Sequence, residues 1–226
     1  MTQPNQRTAQ AFDALAGDYD DAYHDRIARA LVAFVAPAPA ESVADVACGT
    51  GAVALAVAAV RAAHPGGAPV LALDLSPGMV AAGRARAARL APAGAIDWRV
   101  APALPLPVAD AGLDVVLCAS SLHFLGRPAL ADWLRVLRPG GRVGFTLPLT
   151  VGFHPGGAFA ELLATDLALP DTAADAAALA QASGFTAAAA RTVTVGARTV
   201  ALVRARKPTQ PPAQPQPPAA GAVTRS

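Results

Sequence analysis

The sequence predicts an α/β protein with a doubly wound, mostly parallel sheet of seven strands that ends in an antiparallel hairpin. Three observations carry this expectation. From residue 42 onward, strand-like and helix-like stretches alternate. Some of the strand-like stretches, "LDVVLCAS" at 113–120 above all, are continuous apolar runs, as in strands covered on both faces. The last two, "FTAAAARTVTV" and "TVALVRARK", are joined only by a short Gly-containing turn and therefore pair as a hairpin.

The elements follow in order. Residues 8–36 carry Phe12, Leu15, Tyr19 and Tyr23 at three- to four-residue spacing, which reads as helix, with Gly17 a point where it breaks in two. "APAPAE" closes this region. "SVADVA" is the first strand, and residues 52–63 are a helix stopped by "HPGG". "PVLALDL" is the second strand, and 77–91 a helix with Ser76 as N-cap and Pro77 in its first turn. "IDWRVA" is the third strand, followed by the proline-rich loop "PALPLPVADAG" and the apolar fourth strand. Residues 127–137 form a helix with Leu130, Trp133, Leu134 and Leu137 on its core face, stopped by the tight turn "RPGG" before the fifth strand, "RVGFTLPL". Residues 157–168 and 172–183 read as helices ahead of the hairpin. The chain thus divides into a helical cap segment (1–41), the α/β domain (42–207) and a Pro-rich tail (208–226) that cannot bury a core and is expected to be disordered or polyproline II.

Composition narrows the function classes. Hydrophobic residues make up 54% and charged residues 15% of the 226. Much of the apolar share is alanine, and no run of about 18 strongly apolar residues stands where a membrane span would need one. The first residues, "MTQPNQRTAQAFD", lack the apolar stretch of a secretory signal, so the expected location is the cytoplasm. The net charge is +2, and no basic patch interleaves with aromatics, so no nucleic-acid partner is expected. Cys48 and Cys118, the two cysteines, are too few for a disulfide framework or a zinc cluster; both are expected as buried thiols, and no metal site is expected.

The chemistry concentrates at "DVACGTG", Asp45 to Gly51, where the first strand ends. In an open parallel sheet, ligands bind at the carboxyl ends of the strands. Gly49, Gly51 and Ala54 spell G-x-G-x-x-A, and Asp74 ends the second strand 23 positions after Gly51, the spacing of an acid that accepts from ribose hydroxyls. A nucleoside ligand is implied. A pyrophosphate would be repelled by Asp45, whereas an ammonium group would be attracted, which favours S-adenosylmethionine over NAD. The alternative for Asp45 is that it only accepts from loop amides.

With these residues in view, the chain resembles the class I S-adenosylmethionine-dependent methyltransferases, of the small-molecule type that includes the ubiquinone/menaquinone-biosynthesis enzymes. The resemblance rests on "FDALAGDYD" (12–20), "VADVACGTG" (43–51), "LALDLSPGMV" (71–80), "LPLPVADAGLDVVLCASSLHFL" (104–125) and "LRVLRPGGRVGFT" (134–146), and extends through "ASGFT" and "VRARKP". It implies a Rossmann-like sheet, S-adenosylmethionine as cofactor and a small-molecule acceptor. It implies that Asp45, Ala47, Gly49 and Gly51 line the methionine part of the cofactor, that Asp74 holds the ribose with Leu75 and Ser76 beside it, and that Met79 packs on the adenine. Leu122 and His123 would face the transferring methyl, and Tyr19 would help cover the site. Two departures stand out. The family often has glycine at Ala47, and it often has an acid for the adenine amino group where Val100 or Ala101 stands here, leaving only a backbone amide near Ala101.

Methyl transfer from a sulfonium needs alignment first and a base only for an acceptor that must lose a proton. His123 is the candidate base and His154 the reserve, while His24 and His64 read as surface residues. No "NPPY"-like tetrapeptide follows the fourth strand, so oxygen or carbon acceptors are favoured over amino groups. Arg84, Arg86 and Arg89 read as a solvated helix face. The competing functions are an NAD-dependent oxidoreductase and a non-catalytic S-adenosylmethionine-binding protein.

Overall fold

A computed structural model describes residues 3–17, 19, 21–62 and 67–209. His64 and the tail from residue 210 lie outside the described residues. Two helices open the chain, α1 (Gln3–Asp13) and α2 (Asp21–Val35), with turns through Gly17 between them. Then come β1 (Val43–Val46), α3 (Ala52–Arg61), β2 (Val70–Asp74), α4 (Pro77–Leu90), β3 (Ile96–Val100) and β4 (Leu113–Cys118). The second half contains α5 (Leu122–Leu125), α6 (Arg127–Val136), β5 (Leu137–Pro148), α7 (Ala158–Glu161), α8 (Ala173–Ala182), β6 (Thr186–Val195) and β7 (Arg198–Arg206). Among the described residues, no helix is long and apolar enough to cross a membrane.

The seven strands form one sheet in the order β3-β2-β1-β4-β5-β7-β6. β1 to β5 run parallel, and β7 enters antiparallel between β5 and β6. The order reverses between β1 and β4, so the carboxyl ends of these two strands open onto the switch-point crevice. Side-chain alternation explains the apolar runs. In β4, Val116 and Cys118 face one core with Trp133 of α6 and Phe145 of β5, while Val115 and Leu117 face the other with Ile27 and Leu31 of α2. Trp133 is fully buried, and Trp133→Ala is expected to cost ~3–5 kcal/mol.

The structure departs from the sequence expectations in four places. "RPGG" is not a tight turn: β5 begins at Leu137, directly after α6. Gly140 N–H donates to the Lys207 carbonyl at 3.0 Å and Lys207 N–H donates to that of Gly141 at 2.8 Å, so this segment extends the sheet, with a shift in its register to β4. The helix expected at 157–168 is the single turn α7, and the single turn α5 had no counterpart in the sequence reading. Arg86 is no solvated arginine. Its Nη2 donates to both Asp25 oxygens at 2.9 Å and its Nη1 to Thr50 Oγ1 at 3.2 Å, tying α4 to α2 and to the loop after β1.

Candidate active site

The loop after β1 turns by positive φ at three residues: Ala47 (52°), Gly49 (53°) and Gly51 (80°). Gly51 has a second reason to be glycine, since a Cβ there would collide with the Trp98 ring from β3. Ala47 meets the same backbone demand with a side chain, in a region that costs an L-residue ~1–2 kcal/mol. This is a physical reason for glycine at that position. Cys48 N–H donates to the Leu73 carbonyl at 2.9 Å and Gly51 N–H to that of Cys48 at 2.8 Å, which fixes the loop against β2.

Asp74 ends β2 with its carboxylate toward the same loop. Oδ2 accepts from Gly49 N–H at 2.8 Å and Oδ1 from Ser76 N–H at 2.9 Å. It is 9% exposed, and burial raises its pKa above the ordinary carboxylate range. Ser76 caps α4, its Oγ accepting from Met79 N–H at 3.0 Å with Pro77 in the first turn, as expected. Asp13, at the end of α1, accepts from both Ser76 Oγ and Gly78 N–H, which docks α1 on the N-terminus of α4.

A cavity of about 260 Å³ lies over these strand ends, just below the usual ligand-pocket range of ~300–1,000 Å³. Its floor is Ala47, Gly49, Asp74, Leu75 and Ser76, and one wall is Pro102, Ala103 and Leu104. Ser121, Phe124, Leu125 and Leu162 form another side. Asn5, Thr8, Ala9 and Phe12 of α1 close it, together with Tyr19. Phe12 packs edge-on against Phe124 and Phe159, with ring centroids 5.8 and 5.5 Å apart. The Tyr19 hydroxyl is hydrogen-bonded to His24 Nε2 at 3.1 Å, and the two rings stack at 4.4 Å.

Of the residues singled out from the sequence, Tyr19, Ala47, Gly49, Asp74, Leu75 and Ser76 come together on the cavity wall. The others do not, each for a physical reason. Asp45 is 1% exposed beneath the loop, and its Oδ2 accepts from Ala54 N–H at 2.9 Å. Burial pushes its carboxyl up to about 8, against the lowering effect of the Ala54 hydrogen bond and with the nearby Asp74 adding to the rise, and its burial beneath the loop keeps it off the cavity wall. Gly51 is buried under Trp98, and Met79 and Leu122 are fully buried. The Ala101 N–H donates to the Asp74 carbonyl at 2.9 Å, completing the ladder between β2 and β3, and is not available to an adenine. His123 is 6% exposed, and its ring packs against Phe124 and Phe153. Its Nδ1 has no partner, and burial lowers its pKa to about 4. His154 is exposed and outside the wall, and His24 is half-buried rather than a surface residue.

The sequence reading missed Phe12, Ser121 and Phe124. Ser121 adjoins the expected Leu122, one residue along the turn that leaves β4, and Phe12 opens the very stretch, "FDALAGDYD", that carried the resemblance. The residues fit the expected nucleoside cofactor. A carboxylate closes β2 for ribose hydroxyls, a glycine loop admits close approach, and an apolar wall stands beyond the ribose position. Among the described residues the cavity wall carries no lysine or arginine, which suits a cation and not a pyrophosphate.

Comparison with known proteins agrees. Residues 43–141 match the methyltransferase domain family. This stretch is similar to a methyltransferase domain and contains β1 to β4 with the glycine loop. It is 35% identical over 145 residues to the ubiquinone/menaquinone biosynthesis C-methyltransferase UbiE of Acidiphilium cryptum, covering 60% of this chain and 56% of the relative. It is 38% identical over 143 residues to the nocamycin O-methyltransferase of Saccharothrix syringae, covering 61% and 50%. The chain thus spans little more than half the length of these relatives. The fold matches the magnesium protoporphyrin IX methyltransferase of Synechocystis, solved with bound S-adenosylmethionine, at TM-score 0.65 and 14% identity, over 92% of this chain and 98% of that one.

Proposed function

We propose that this protein transfers a methyl group from S-adenosylmethionine to an oxygen or carbon atom of a small-molecule acceptor. The observation that carries the reading is the Asp74 carboxylate, which faces a cavity with no cationic side chain on its described wall and shares a hydrogen bond with the glycine loop. When bound, the cofactor supplies an electrophilic methyl group on a neutral leaving group. The rest of the work is alignment, worth several kcal/mol of barrier by itself. Asp74 holds the ribose, Gly49 and Ala47 border the methionine part, and α1 with Phe12 excludes water from the cavity. The aromatic side formed by Phe12 and Phe124 favours an apolar acceptor.

For an acceptor that must lose a proton, buried His123 is displaced as the base by the Tyr19–His24 pair. Tyr19 lines the cavity, and its hydroxyl has a half-buried imidazole behind it. The relatives named as C- and O-methyltransferases support this acceptor range. Calorimetry with S-adenosylhomocysteine and NADH, followed by transfer of labelled methyl groups to a panel of phenols, enols and amines, tests the reading. Binding of the first and transfer to an oxygen or carbon acceptor are expected. Tighter binding of NADH would overturn it.

A further inference from the structure

We infer that Arg86 is a positioning residue for the cofactor: it holds the Tyr19 ring over the glycine loop, and so sets affinity at the methionine end of the site and not at the nucleoside end. The inference rests on the cofactor reading above. Arg86 stands on α4, outside the cavity wall, and reaches the site through two other elements. Its Nη2 donates to both Asp25 oxygens at 2.9 Å. Its Nη1 donates to Thr50 Oγ1 at 3.2 Å and to the Thr50 carbonyl at 3.4 Å.

Both partners adjoin residues that meet at the cavity. Thr50 follows Gly49 in the loop after β1, and Asp25 follows His24 in α2. The His24 ring stacks on Tyr19, and its Nε2 shares a hydrogen bond with the Tyr19 hydroxyl. That hydroxyl lies 3.6 Å from where a Cβ on Gly49 would stand, so Tyr19 rests directly on the loop. The contacts close a ring from Gly49 through Tyr19, His24, Asp25 and Arg86 to Thr50. α4 comes close enough because Gly83, one turn before Arg86, has no side chain. A Cβ there would meet the Trp98 ring at 2.5 Å and the Thr50 carbonyl oxygen at 3.1 Å. The Arg86 and Asp25 side chains are only 11% and 26% exposed, so salt and solvent screen their attraction weakly. One planar guanidinium serves both elements at once, where a lysine offers a single charged nitrogen. Asp74 sits at the end of β2 and accepts from Ser76 N–H at 2.9 Å, so the ribose end keeps its acid when Arg86 is lost.

The test compares S-adenosylhomocysteine with 5′-methylthioadenosine, which keeps the nucleoside and the sulfur but lacks the amino-acid end, by calorimetry on the full chain. Arg86→Gln is expected to bind S-adenosylhomocysteine about three- to tenfold more weakly than wild type, and 5′-methylthioadenosine within about twofold. Asp25→Ala cuts the α2 arm, leaves the Thr50 arm and suits a helix, so it repeats the split should Arg86→Gln fail to fold. In a Tyr19→Ala background, Arg86→Gln is expected to change S-adenosylhomocysteine affinity by less than about twofold, since the ring it holds is gone. Equal weakening of both ligands would make Arg86 a support of the fold alone, and unchanged binding of S-adenosylhomocysteine would remove it from the site. Either result overturns the inference and leaves the cofactor reading intact. Binding of neither ligand by the wild type would overturn both.

Discussion

The Asp74 carboxylate and the Gly49 amide lie 2.8 Å apart, so the acid that closes β2 also holds the loop that follows β1. One side chain thus lines the cavity and holds the glycine loop beside it. Asp74→Ala is expected to weaken S-adenosylhomocysteine binding by ~1.5–3 kcal/mol, because charge-assisted hydrogen bonds to ribose are lost and the loop is released. Calorimetry measures it, and an affinity equal to wild type would remove Asp74 from the site.

Ala47 holds φ at 52° with a side chain. Ala47→Gly removes the left-handed strain but adds chain entropy to the unfolded state, so a net gain of up to about 1 kcal/mol is expected. Ala47→Val should instead lower the melting temperature, because a β-branched residue is strained more at that φ. Denaturant melts of the two variants decide the point.

His123 sets an acid limb of stability. Its folded pKa of about 4 lies below the ordinary 6.5, so the neutral ring is favoured in the fold. That contribution is present above pH 6.5 and is lost as pH falls through 4. The loss is on the order of 3 kcal/mol. His123→Gln should lack this limb. The difference between the two denaturant profiles, taken from pH 7 down to pH 4, isolates it. Turnover of the wild type should show no ionisation of His123 between pH 6 and 7.

Asp45 acts in the opposite sense. Its folded pKa, raised to about 8, favours the protonated carboxyl. Its stabilising share is fully present below about pH 4 and declines as pH rises to 8. Asn has no such ionisation and keeps an acceptor for Ala54 N–H. The melting temperature of Asp45→Asn relative to wild type should therefore climb between pH 5 and pH 8. A constant difference across that window would show that Asp45 is charged in the fold.

Tyr19→Phe removes the hydroxyl that meets His24 and leaves the ring in place. With a phenolic acceptor, turnover is expected to fall at least about tenfold, while S-adenosylhomocysteine affinity stays within about threefold. His24→Gln should lower turnover in the same direction. Unchanged turnover in both variants would assign the reaction to alignment alone.

The strand and helix order, the glycine loop and the Ser76 cap were legible because each is a local property. Apolar runs of four to eight residues, a G-x-G spacing and a Ser-Pro helix start act over a few residues, and the backbone responds to them without long-range help. Asp74 was legible for a related reason: it sits at a strand end at a spacing set by one βαβ unit.

The sequence by itself determined the sheet, its glycine turn and the acid that ends β2. Tertiary packing alone decided which side chains reach the cavity. Asp45 lies two residues before Ala47, yet it points beneath the loop, where burial raises its pKa, while Ala47 faces the cavity. His123 lies two residues past Ser121, yet its ring packs between Phe124 and Phe153, and Ser121 faces the ligand space. Phe12 meets Phe124 from 112 positions away, and Arg86 finds Asp25 from 61 positions away. Local spacing cannot encode such meetings. They arise when the sheet brings separate strand ends together and each polar group is either paired or left in water, whichever costs less free energy.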